Sequence, residues 1–445
     1  MQVIAPDERK MRQLTKRGVA EIIVEEEMVK LLHESAKSQR PLRLKQGFDP
    51  SAPDIHLGHV VGLRKLRQFQ ELGHQVILIV GDWTAQIGDP SGVSVTRPML
   101  SPEQVRANAE TYMKQFFKVV NREKTQVVWQ SEWFGKFTLK DVIALTSKFT
   151  VAQMLQRDDF AKRYAAGRPI AITEFLYPLL QAYDSVVIEA DVEFGGTDQK
   201  FNCLVGRELQ GIVGQPRQQV FLVPLLVGTD GTQKMSKSLG NYIGIDEPPH
   251  DMYGKVMSIP DNLILDYFEL LTDVSDEELA QFREQLATES VNPMHLKKHL
   301  AREIVVQFHG VAAAREAEAE FEKVVQRKEA PEETAEVRVS FDHLLFEQPP
   351  HEIEAAQRMG FAALLWKGDA FGDEQVKELL ISIPFLLHKA NLVDSKSEAR
   401  RLVSQGAIEV DGKRVVADVR PIVKDGSIIR VGKRRWVKVI DADLH

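Results

Sequence analysis

The first half of the chain alternates short apolar runs with segments of helix length, and this pattern limits the fold more than any other. Residues 76–80 (VILIV) form a continuous apolar run between polar and glycine residues, as expected of a strand buried in a parallel sheet. Residues 126–129 and 220–227 have the same character, although Pro224 requires a strand end or an edge there. Strands separated by helices predict an α/β fold, with a parallel sheet between helical layers.

Helix signals dominate from about residue 246. Ser275 with Glu278 has the spacing of a capping box there, and Pro293 suits the first turn of a further helix. In the first half of the chain, Ser101 with Gln104 has the same capping-box spacing. The polar, proline-bearing residues 329–337 and 347–351 predict exposed linkers.

The last 65 residues predict a small α+β module. Ser395 and Glu398 cap a helix that Gly406 ends, and Asp411–Gly412 lies between two alternating segments, a strong hairpin signal. This module has 13 Lys and Arg against 8 Asp and Glu, a net charge of +5, whereas the whole chain carries −7. A basic module on an acidic body indicates an anionic partner such as nucleic acid, although an ordinary solvated basic face has the same composition.

Residues 47–59 (GFDPSAPDIHLGH) combine a strand end with a helix start. Backbone N–H groups at such a turn bind anions in open α/β sheets. His56 and His59 are three residues apart, so both can face one pocket and stabilise negative charge on a reacting phosphate. Gly58 between them would let a flat base approach the backbone. Two histidines near a helix start are also common on ordinary surfaces.

Residues 234–238 (KMSKS) follow the apolar run at 220–227 in a loop. Lys234 and Lys237 can neutralise a triphosphate as its charge moves onto departing pyrophosphate, and two serine hydroxyls can donate to its oxygens. The alternative interpretation is an ordinary solvated basic loop. However, an exact match to the five-residue KMSKS motif has a chance expectation of only roughly 1 in 10⁴ for a chain of this length.

HLGH and KMSKS in this order resemble the two motifs of class I aminoacyl-tRNA synthetases. GFDP, IGDPSG (87–92), YPLLQAYD (177–184) and GGTDQ (195–199) resemble those of the bacterial-type tyrosyl-tRNA synthetases. The resemblance implies a Rossmann-type catalytic domain over residues 1–245, with a connective insertion at about 120–190 that forms a dimer interface. A helical anticodon-binding domain at 246–345, a linker at 346–380 and a C-terminal RNA-binding module at 381–445 would follow.

The resemblance also implies roles for individual residues. His56, His59, Lys234 and Lys237 would be catalytic. The ATP site would comprise Gly47, Asp49, Ser51, His56, Gly58, His59, Gly196, Asp198, Lys234, Met235, Ser236, Lys237 and Ser238. The tyrosine site would comprise Asp89, Tyr177, Gln181, Asp184 and Gln199. Candidates for tRNA contact in the basic module are Arg400, Arg401, Lys413 and Arg414.

The residue types agree with these roles. Tyr177, Gln181 and Asp184 are spaced for one helix face, and Asp184 as a buried acceptor for a phenol would reject phenylalanine. The sequence departs from the family pattern at Lys45, where the best-known members have a tyrosine that contacts the substrate hydroxyl. Hydroxyl recognition is therefore expected to depend mainly on Asp184.

The expected function is ATP-dependent charging of tRNA(Tyr) with L-tyrosine, with Mg²⁺ bound through the ATP phosphates and no metal site of the protein's own. Two alternatives stay open: a tryptophanyl-tRNA synthetase, and a non-catalytic RNA-binding protein on a synthetase scaffold.

The resemblance implies a homodimer. No apolar run has the ~20 residues of a membrane helix, and the single cysteine, Cys203, and the absence of a targeting peptide favour the cytoplasm.

Overall fold

A computed structural model of the chain describes residues 2–50, 54–89, 101–326, 334–347, 381–415, 423–432 and 435–444. It divides into two compact units, Met1–Arg315 and Glu316–His445. Ser51 and residues 348–380 of the expected linker lie outside the described residues, so the predictions made for them stay predictions. Among the described residues, no helix is both long and apolar enough to cross a membrane.

The first unit is built on a six-stranded sheet with the order β1-β6-β5-β2-β3-β4. Strands β2 to β6 run parallel to one another, and β1 pairs antiparallel with β6 at one edge. The strands are β1 (Glu21–Ile22), β2 (Arg43–Phe48), β3 (Gln75–Val80), β4 (Thr125–Trp129), β5 (Val192–Gly196) and β6 (Gln219–Val223). This confirms the α/β class with a Rossmann-type parallel sheet.

Fifteen helices belong to, or begin in, this unit over its described residues. They are α1 (Glu8–Thr15), α2 (Glu25–Ser38), α3 (Leu57–Glu71), α4 (Thr84–Ile87), α5 (Pro102–Phe116), α6 (Ser131–Phe134), α7 (Leu139–Thr146), α8 (Val151–Met154), α9 (Asp158–Ala165), α10 (Ile172–Val187), α11 (Lys200–Ile212), α12 (Pro249–Met257), α13 (Ile264–Leu271), α14 (Asp276–Ala287) and α15 (Pro293–Phe321).

Local sequence signals account for several of these boundaries. Residues 76–80 are fully buried in β3, as their continuous apolar pattern predicts. Ser101 and Ser275 each accept a hydrogen bond from the backbone three residues on, which confirms both capping boxes. Strand β6 ends just before Pro224, which cannot donate a hydrogen bond to a neighbouring strand. Helix α15 is interrupted at Gly310, whose φ of 87° and ψ of 171° are not helical.

The second unit contains a five-stranded sheet with the order β7-β11-β10-β8-β9. Its described elements are β7 (Ala335–Val339), α16 (Phe341–Glu347), α17 (Ile383–Lys389), α18 (Lys396–Ser404), β8 (Ile408–Val410), β9 (Lys413–Arg414), β10 (Ile428–Val431) and β11 (Arg435–Asp441). Asp411 and Gly412 have positive φ values of 48° and 75°, so the predicted hairpin turn is present between β8 and β9. Val439, Leu386 and Ile408 are fully buried in the apolar core between this sheet and its helices.

The last three residues of the predicted exposed linker at 329–337 form a strand and not a connection, although Ala335 and Glu336 are exposed as expected. Residues 335–337 begin β7, which pairs in parallel with β11, so that Val337 lies opposite Val439. The segment resembles a linker because its charged residues alternate with apolar ones at a sheet edge, where one face stays solvated. Its pairing partner is about 100 residues away in sequence, and no local pattern reveals that partner.

Candidate active site

The carboxyl ends of the central strands form the candidate site. The chain leaves β2 for β3 and β4 on one side and returns to β5 on the other, so the strand order reverses between β2 and β5. Open α/β sheets bind ligands at such a point. Asp49 directly follows β2, and the short turn Thr197–Gln199 directly follows β5. Two cavities of about 310 and 230 Å³ lie here and share Gln46, His59 and Gln199 in their walls.

Backbone pairing brings the HLGH and KMSKS segments together, although they are far apart in sequence. The N–H of Leu57 donates to the carbonyl of Ile243 at 3.0 Å, and the N–H of Ile245 donates to Ile55 at 3.2 Å. At its other end the lysine loop is fixed by the N–H of Met235, which donates to Leu226 at 2.7 Å. The chain on either side of KMSKS is therefore attached to the start of α3 and to the end of β6.

The two histidines of HLGH cap α3 in a way that fixes their tautomers. The Nδ1 atom of His56 accepts from the Gly58 N–H at 3.2 Å, and Nδ1 of His59 accepts from the His56 N–H at 3.3 Å. Burial, reinforced by nearby positive charge, lowers the pKa of His56 to about 2 and that of His59 to about 4. Both rings are thus neutral at pH 7, and an Nδ1 that accepts leaves Nε2–H as the donor. The larger cavity is lined by both residues.

Carboxylates and an asparagine hold the lysine loop. The Nζ of Lys234 lies 2.8 Å from Asp198 Oδ2, and the Nζ of Lys237 lies 3.5 Å from Asp54 Oδ2. Asn241 accepts from the Ser236 N–H at 2.8 Å and donates to Asp230 at 2.8 Å. These contacts order the loop while leaving the two ammonium groups beside acceptors that a polyphosphate could replace.

Most residues predicted for ATP and part of the tyrosine set line the two cavities. The larger cavity is lined by His56, Gly58, His59, Gly196, Asp198, Gln199, Lys234, Met235 and Ser236. The smaller one is lined by Gly47, Asp49, His59, Asp89 and Gln199. The walls of these two cavities do not include Lys237, Ser238, Tyr177, Gln181 or Asp184.

Asp184 is buried and accepts hydrogen bonds from two side chains that sequence reasoning did not single out. Gln130 Nε2 donates to it at 2.8 Å, and Trp133 Nε1 donates at 3.2 Å. Burial raises the pKa of Asp184 to about 7, and the positive charge of Lys45 opposes that rise. The amide of Gln130 has one possible orientation, because its oxygen already accepts from the backbone N–H groups of Thr84 at 3.0 Å and Trp83 at 3.3 Å.

The other predicted tyrosine ligands are also hydrogen-bonded within the protein. The hydroxyl of Tyr177 donates to Asp49 Oδ2 at 2.8 Å. Gln199 Nε2 donates to Asp89 Oδ2 at 2.7 Å. The predicted ligand sets for the amino acid and for ATP are thus directly joined by the hydrogen bond between Tyr177 and Asp49.

Sequence reasoning missed Gln46, Gln130, Trp133 and Glu193. Gln130 directly follows β4 and Trp133 lies in α6, in a segment with no distinctive spacing, and only the fold brings them to Asp184. Gln46 follows Lys45 on β2. Successive side chains of a strand point to opposite faces, so the sequence does indicate that Gln46 and Lys45 face different sides of the sheet.

The four predicted tRNA contacts lie in the second unit and are exposed. Arg400 and Arg401 are on α18, and Arg401 is 3.8 Å from Glu398. Lys413 and Arg414 form β9. A Cβ at Gly406 would come within 3.0 Å of the Arg414 side chain, so the hairpin packs against the end of α18. The hairpin and the end of α18 are therefore neighbours in the second unit.

Comparisons with known proteins agree with this architecture. Residues 37–326 match the family described as tRNA synthetases class I (W and Y), and residues 383–417 match the S4 domain. Solved tyrosyl-tRNA synthetases have a similar fold. That of Archaeoglobus fulgidus, complexed with L-tyrosine, has a TM-score of 0.56 at 24% identity and covers 69% of this chain and 98% of its own. A C-terminally truncated mitochondrial enzyme from Aspergillus nidulans has a TM-score of 0.60 at 20% identity over 72% and 94%. The parallel sheet and the joined histidine and lysine motifs are those of a class I tRNA synthetase.

Curated relatives narrow the class. The tyrosine–tRNA ligase of Dehalococcoides mccartyi is 58% identical over 97% of this chain and 99% of its own length. That of Carboxydothermus hydrogenoformans is 49% identical over 97% and 98%. The chain belongs to the tyrosine–tRNA ligase family.

Proposed function

We propose that this chain joins tyrosine to tRNA(Tyr) in two steps at the cavities described above. The tyrosine carboxylate attacks the α-phosphorus of ATP, the bond to the β-phosphate breaks, and tyrosyl-adenylate and pyrophosphate form. A terminal ribose hydroxyl of tRNA then attacks the tyrosyl carbonyl, and AMP leaves. The observation that carries the proposal is the convergence of two neutral imidazoles and two lysines at the switch point of the sheet.

Positioning and charge stabilisation would supply the catalysis, with no covalent intermediate on the protein. His56 and His59 would donate from Nε2 to phosphate oxygens as their charge grows. A neutral ring whose Nδ1 accepts a hydrogen bond still has its Nε2–H available as a donor at pH 7. Lys234 and Lys237 would follow the charge that moves onto pyrophosphate, exchanging Asp198 and Asp54 for phosphate oxygens.

ATP would enter as its magnesium complex, with the metal held mainly by phosphate oxygens and water. Gly47, Asp49, Gly58, Gly196, Asp198, Met235, Ser236 and Ser238 would complete the nucleotide site, as would Ser51. Position 58 favours glycine for a steric reason, because a Cβ there would lie 3.0 Å from the His56 ring and displace it. Cys203 is buried, and its free thiol suits the reducing cytoplasm that we propose as the compartment.

Tyrosine would bind with its phenol at Asp184 and its α-ammonium near Asp89, Tyr177 and Gln181, while Gln199 lies beside the carboxylate. Asp184 has both oxygens occupied by donors but keeps further lone pairs for a phenol. A ligand that lacks the hydroxyl would leave that buried carboxylate short of a donor. Tyrosyl-tRNA synthetases as a class are the standard case of such selectivity, and their discrimination against phenylalanine is about 10⁵, a figure that belongs to the class and does not come from this structure.

The second unit would bind tRNA through Arg400, Arg401, Lys413 and Arg414. The proposed homodimer would form through the segment between β4 and the end of α10. That segment exposes large apolar side chains, which supports an interface there. They are Leu139, Ile143, Val151, Tyr164, Ile172 and Val187, with exposures of 40 to 82%.

The test is the exchange of labelled pyrophosphate into ATP with tyrosine, tryptophan or phenylalanine as the added amino acid. We expect exchange with tyrosine alone. Exchange with tryptophan would identify the sibling activity. Exchange with none of the three, from folded protein that still binds tRNA, would favour a non-catalytic RNA-binding protein.

A further inference from the structure

A buried ion pair lies beneath the proposed tyrosine site. Lys45 on β2 and Glu193 on β5 are directly opposite one another in the sheet, and Lys45 Nζ is 2.8 Å from Glu193 Oε1. The two side chains are 0% and 1% exposed. Burying two charges costs several kcal/mol per ion before their attraction is counted. A buried ion pair is therefore weak evidence for a contribution to stability. The contacts that the two side chains make indicate a different role.

All three ammonium hydrogens of Lys45 are used within the protein. Besides Glu193, Lys45 Nζ donates to the carbonyl oxygen of Gln181 and to the hydroxyl of Ser185, each at 2.7 Å. An ammonium group has three donors and no acceptor. Lys45 therefore has no donor left for the substrate hydroxyl, and it does not take over the contact that a tyrosine makes at this position in the best-known members of the family.

Glu193 fixes the orientation of the Gln181 amide. The Nε2 atom of Gln181 donates to Glu193 Oε1 at 3.1 Å. A carboxylate can only accept, so the amide nitrogen must face Glu193, and Oε1 is presented on the other side. The α-ammonium of an amino acid can only donate and requires that oxygen. The other carboxylate oxygen of Glu193 accepts from Ser185 at 3.3 Å and from Gln218.

The pair also attaches α10 to the sheet at two points one turn apart, Gln181 and Ser185. Asp184 lies between these two points on the same helix. We infer that the Lys45–Glu193 pair positions the tyrosine site, orienting the Gln181 amide oxygen toward the substrate ammonium and fixing the charge environment of Asp184. This inference rests on the proposed function. Lys45 and Glu193 are positioning residues, because neither has a group left to touch the substrate.

Among the described residues, the charges that act most strongly on Asp184 belong to these two residues. Lys45 on β2 lowers the pKa of Asp184 and Glu193 on β5 raises it, with Lys45 the stronger of the two. The remaining neighbours, Gln130 and Trp133 from the β4–α6 segment, are uncharged donors that also lower it. Removing one member of the pair should thus shift the titration of Asp184 in the direction opposite to that caused by removing the other.

Glu193→Gln is the first test, because it preserves shape and removes the constraint on the Gln181 amide. We expect tyrosine to bind about 10- to 100-fold more weakly, the scale of a lost hydrogen bond to a charged group. Binding of 3-(4-hydroxyphenyl)propionate, which lacks the ammonium, should change little, and so should KM for ATP. A merely structural role would weaken both phenols equally.

Glu174→Gln is the matched control. Glu174 lies at the start of the same helix and forms another buried ion pair with Arg163. We expect this substitution to leave the ratio of tyrosine to propionate affinity unchanged. The inference is overturned if Glu193→Gln leaves the ratio unchanged or if Glu174→Gln lowers it as much.

The pH dependence of tyrosine kcat/KM is the second readout. Its acid limb should move to lower pH in Glu193→Gln and to higher pH in Lys45→Met. If Lys45→Met fails to fold because Glu193 is left unpaired, the double variant Lys45→Met/Glu193→Gln replaces it and should also move the limb upward. Shifts in one common direction would overturn the inference. Loss of tyrosine-dependent exchange in the unchanged protein would instead overturn the proposed function.

Discussion

Burial opposes the ionisation of the Asp184 carboxyl and raises its pKa. Its pKa of about 7 in the folded chain is well above the usual value of 3.8, mainly because of burial. In the unfolded chain the carboxyl ionises near its usual value, so between about pH 4 and 7 the unfolded state binds fewer protons than the folded one. Folding stability attributable to Asp184 therefore falls as pH rises through this window and is constant above it.

This sign gives a prediction for Asp184→Asn. The free energy of unfolding of the variant, relative to the unchanged protein, should increase from pH 4 to about pH 7 and then level off. Any constant cost of facing an amide nitrogen toward Gln130 or Trp133 shifts the whole curve without changing its slope. Urea unfolding at several pH values measures it. A difference that is independent of pH would show that Asp184 is not titrating in this range.

The histidines give a kinetic prediction. Replacing His56 or His59 with alanine removes an Nε2–H donor and should slow adenylate formation by roughly 10²- to 10³-fold, the cost of losing one donor to a developing oxyanion. Tyrosine affinity should be nearly unchanged, since neither histidine is among the residues proposed to bind tyrosine. Pre-steady-state adenylate formation is the measurement, and His250→Ala, at an exposed position on α12, is the control. Normal adenylate formation in both site variants would contradict the role.

At this scale the sequence predicted residues that belong to short motifs and missed those that act through the fold. His56, Lys234 and Asp198 stand in recognisable segments. Gln130 and Glu193 do not, because a hydrogen-bond partner across a parallel sheet has no fixed spacing along the chain. In the sequence Lys45 is only a departure from the family pattern, and its role follows from the position of Glu193 on the neighbouring strand.

Among the helices, α15 contains a built-in interruption. Gly310 has a φ of 87° and a ψ of 171°, a conformation that is essentially restricted to glycine. A Cβ there would meet nothing within 4 Å, so the cost of a side chain comes from the backbone alone. We expect Gly310→Ala to destabilise the protein by about 1–3 kcal/mol.

Gly254 offers a matched comparison, because it lies within α12 and a Cβ there would also meet nothing within 4 Å. Its φ is not positive, so Gly254→Ala should stabilise the helix by about 0.5–1 kcal/mol. Thermal unfolding of the two variants should thus shift Tm in opposite directions. Equal Tm shifts in the two variants would mean that alanine adopts the backbone conformation at position 310 without strain.

Elements with local signals were predicted well, and elements with distant partners were not. The capping boxes at Ser101 and Ser275 and the turn at Asp411–Gly412 each involve residues within a few positions of one another. Strand β7 was interpreted as a linker because a solvated edge strand and a polar connection have similar composition. The order of the six-stranded sheet could not be predicted either, because the chain returns from β4 at one edge to place β5 beside β2.

For the molecule as a whole, the two units predict separable activities. Removing the second unit should leave tyrosine-dependent pyrophosphate exchange within about twofold, because every residue of the proposed catalytic site belongs to the first unit. The affinity for tRNA should fall by about 100-fold or more, the effect of losing one of two linked binding modules. Filter binding and exchange assays on the same preparation measure both.

The position of the cut decides whether this experiment is interpretable. A truncation after residue 380 would remove β11 and leave β7 without its partner, exposing Val339, Phe341 and Leu344 from the core of the second unit. A truncation after Gln326 removes β7 as well. We expect the shorter chain to remain monodisperse by gel filtration and the longer one to aggregate. The opposite result would place β7 with the catalytic unit.

The pairing of β7 with β11 also sets an order of events during synthesis. All six strands of the catalytic sheet have been made once residue 223 is complete, whereas β7 waits for residues that follow it by about 100 positions. A growing chain thus passes through a period in which the catalytic sheet can be complete while the edge of β7 and the apolar side chains behind it have no cover. Such surfaces are where nascent chains misassociate, so we expect misassociation to be most frequent during this stretch of translation.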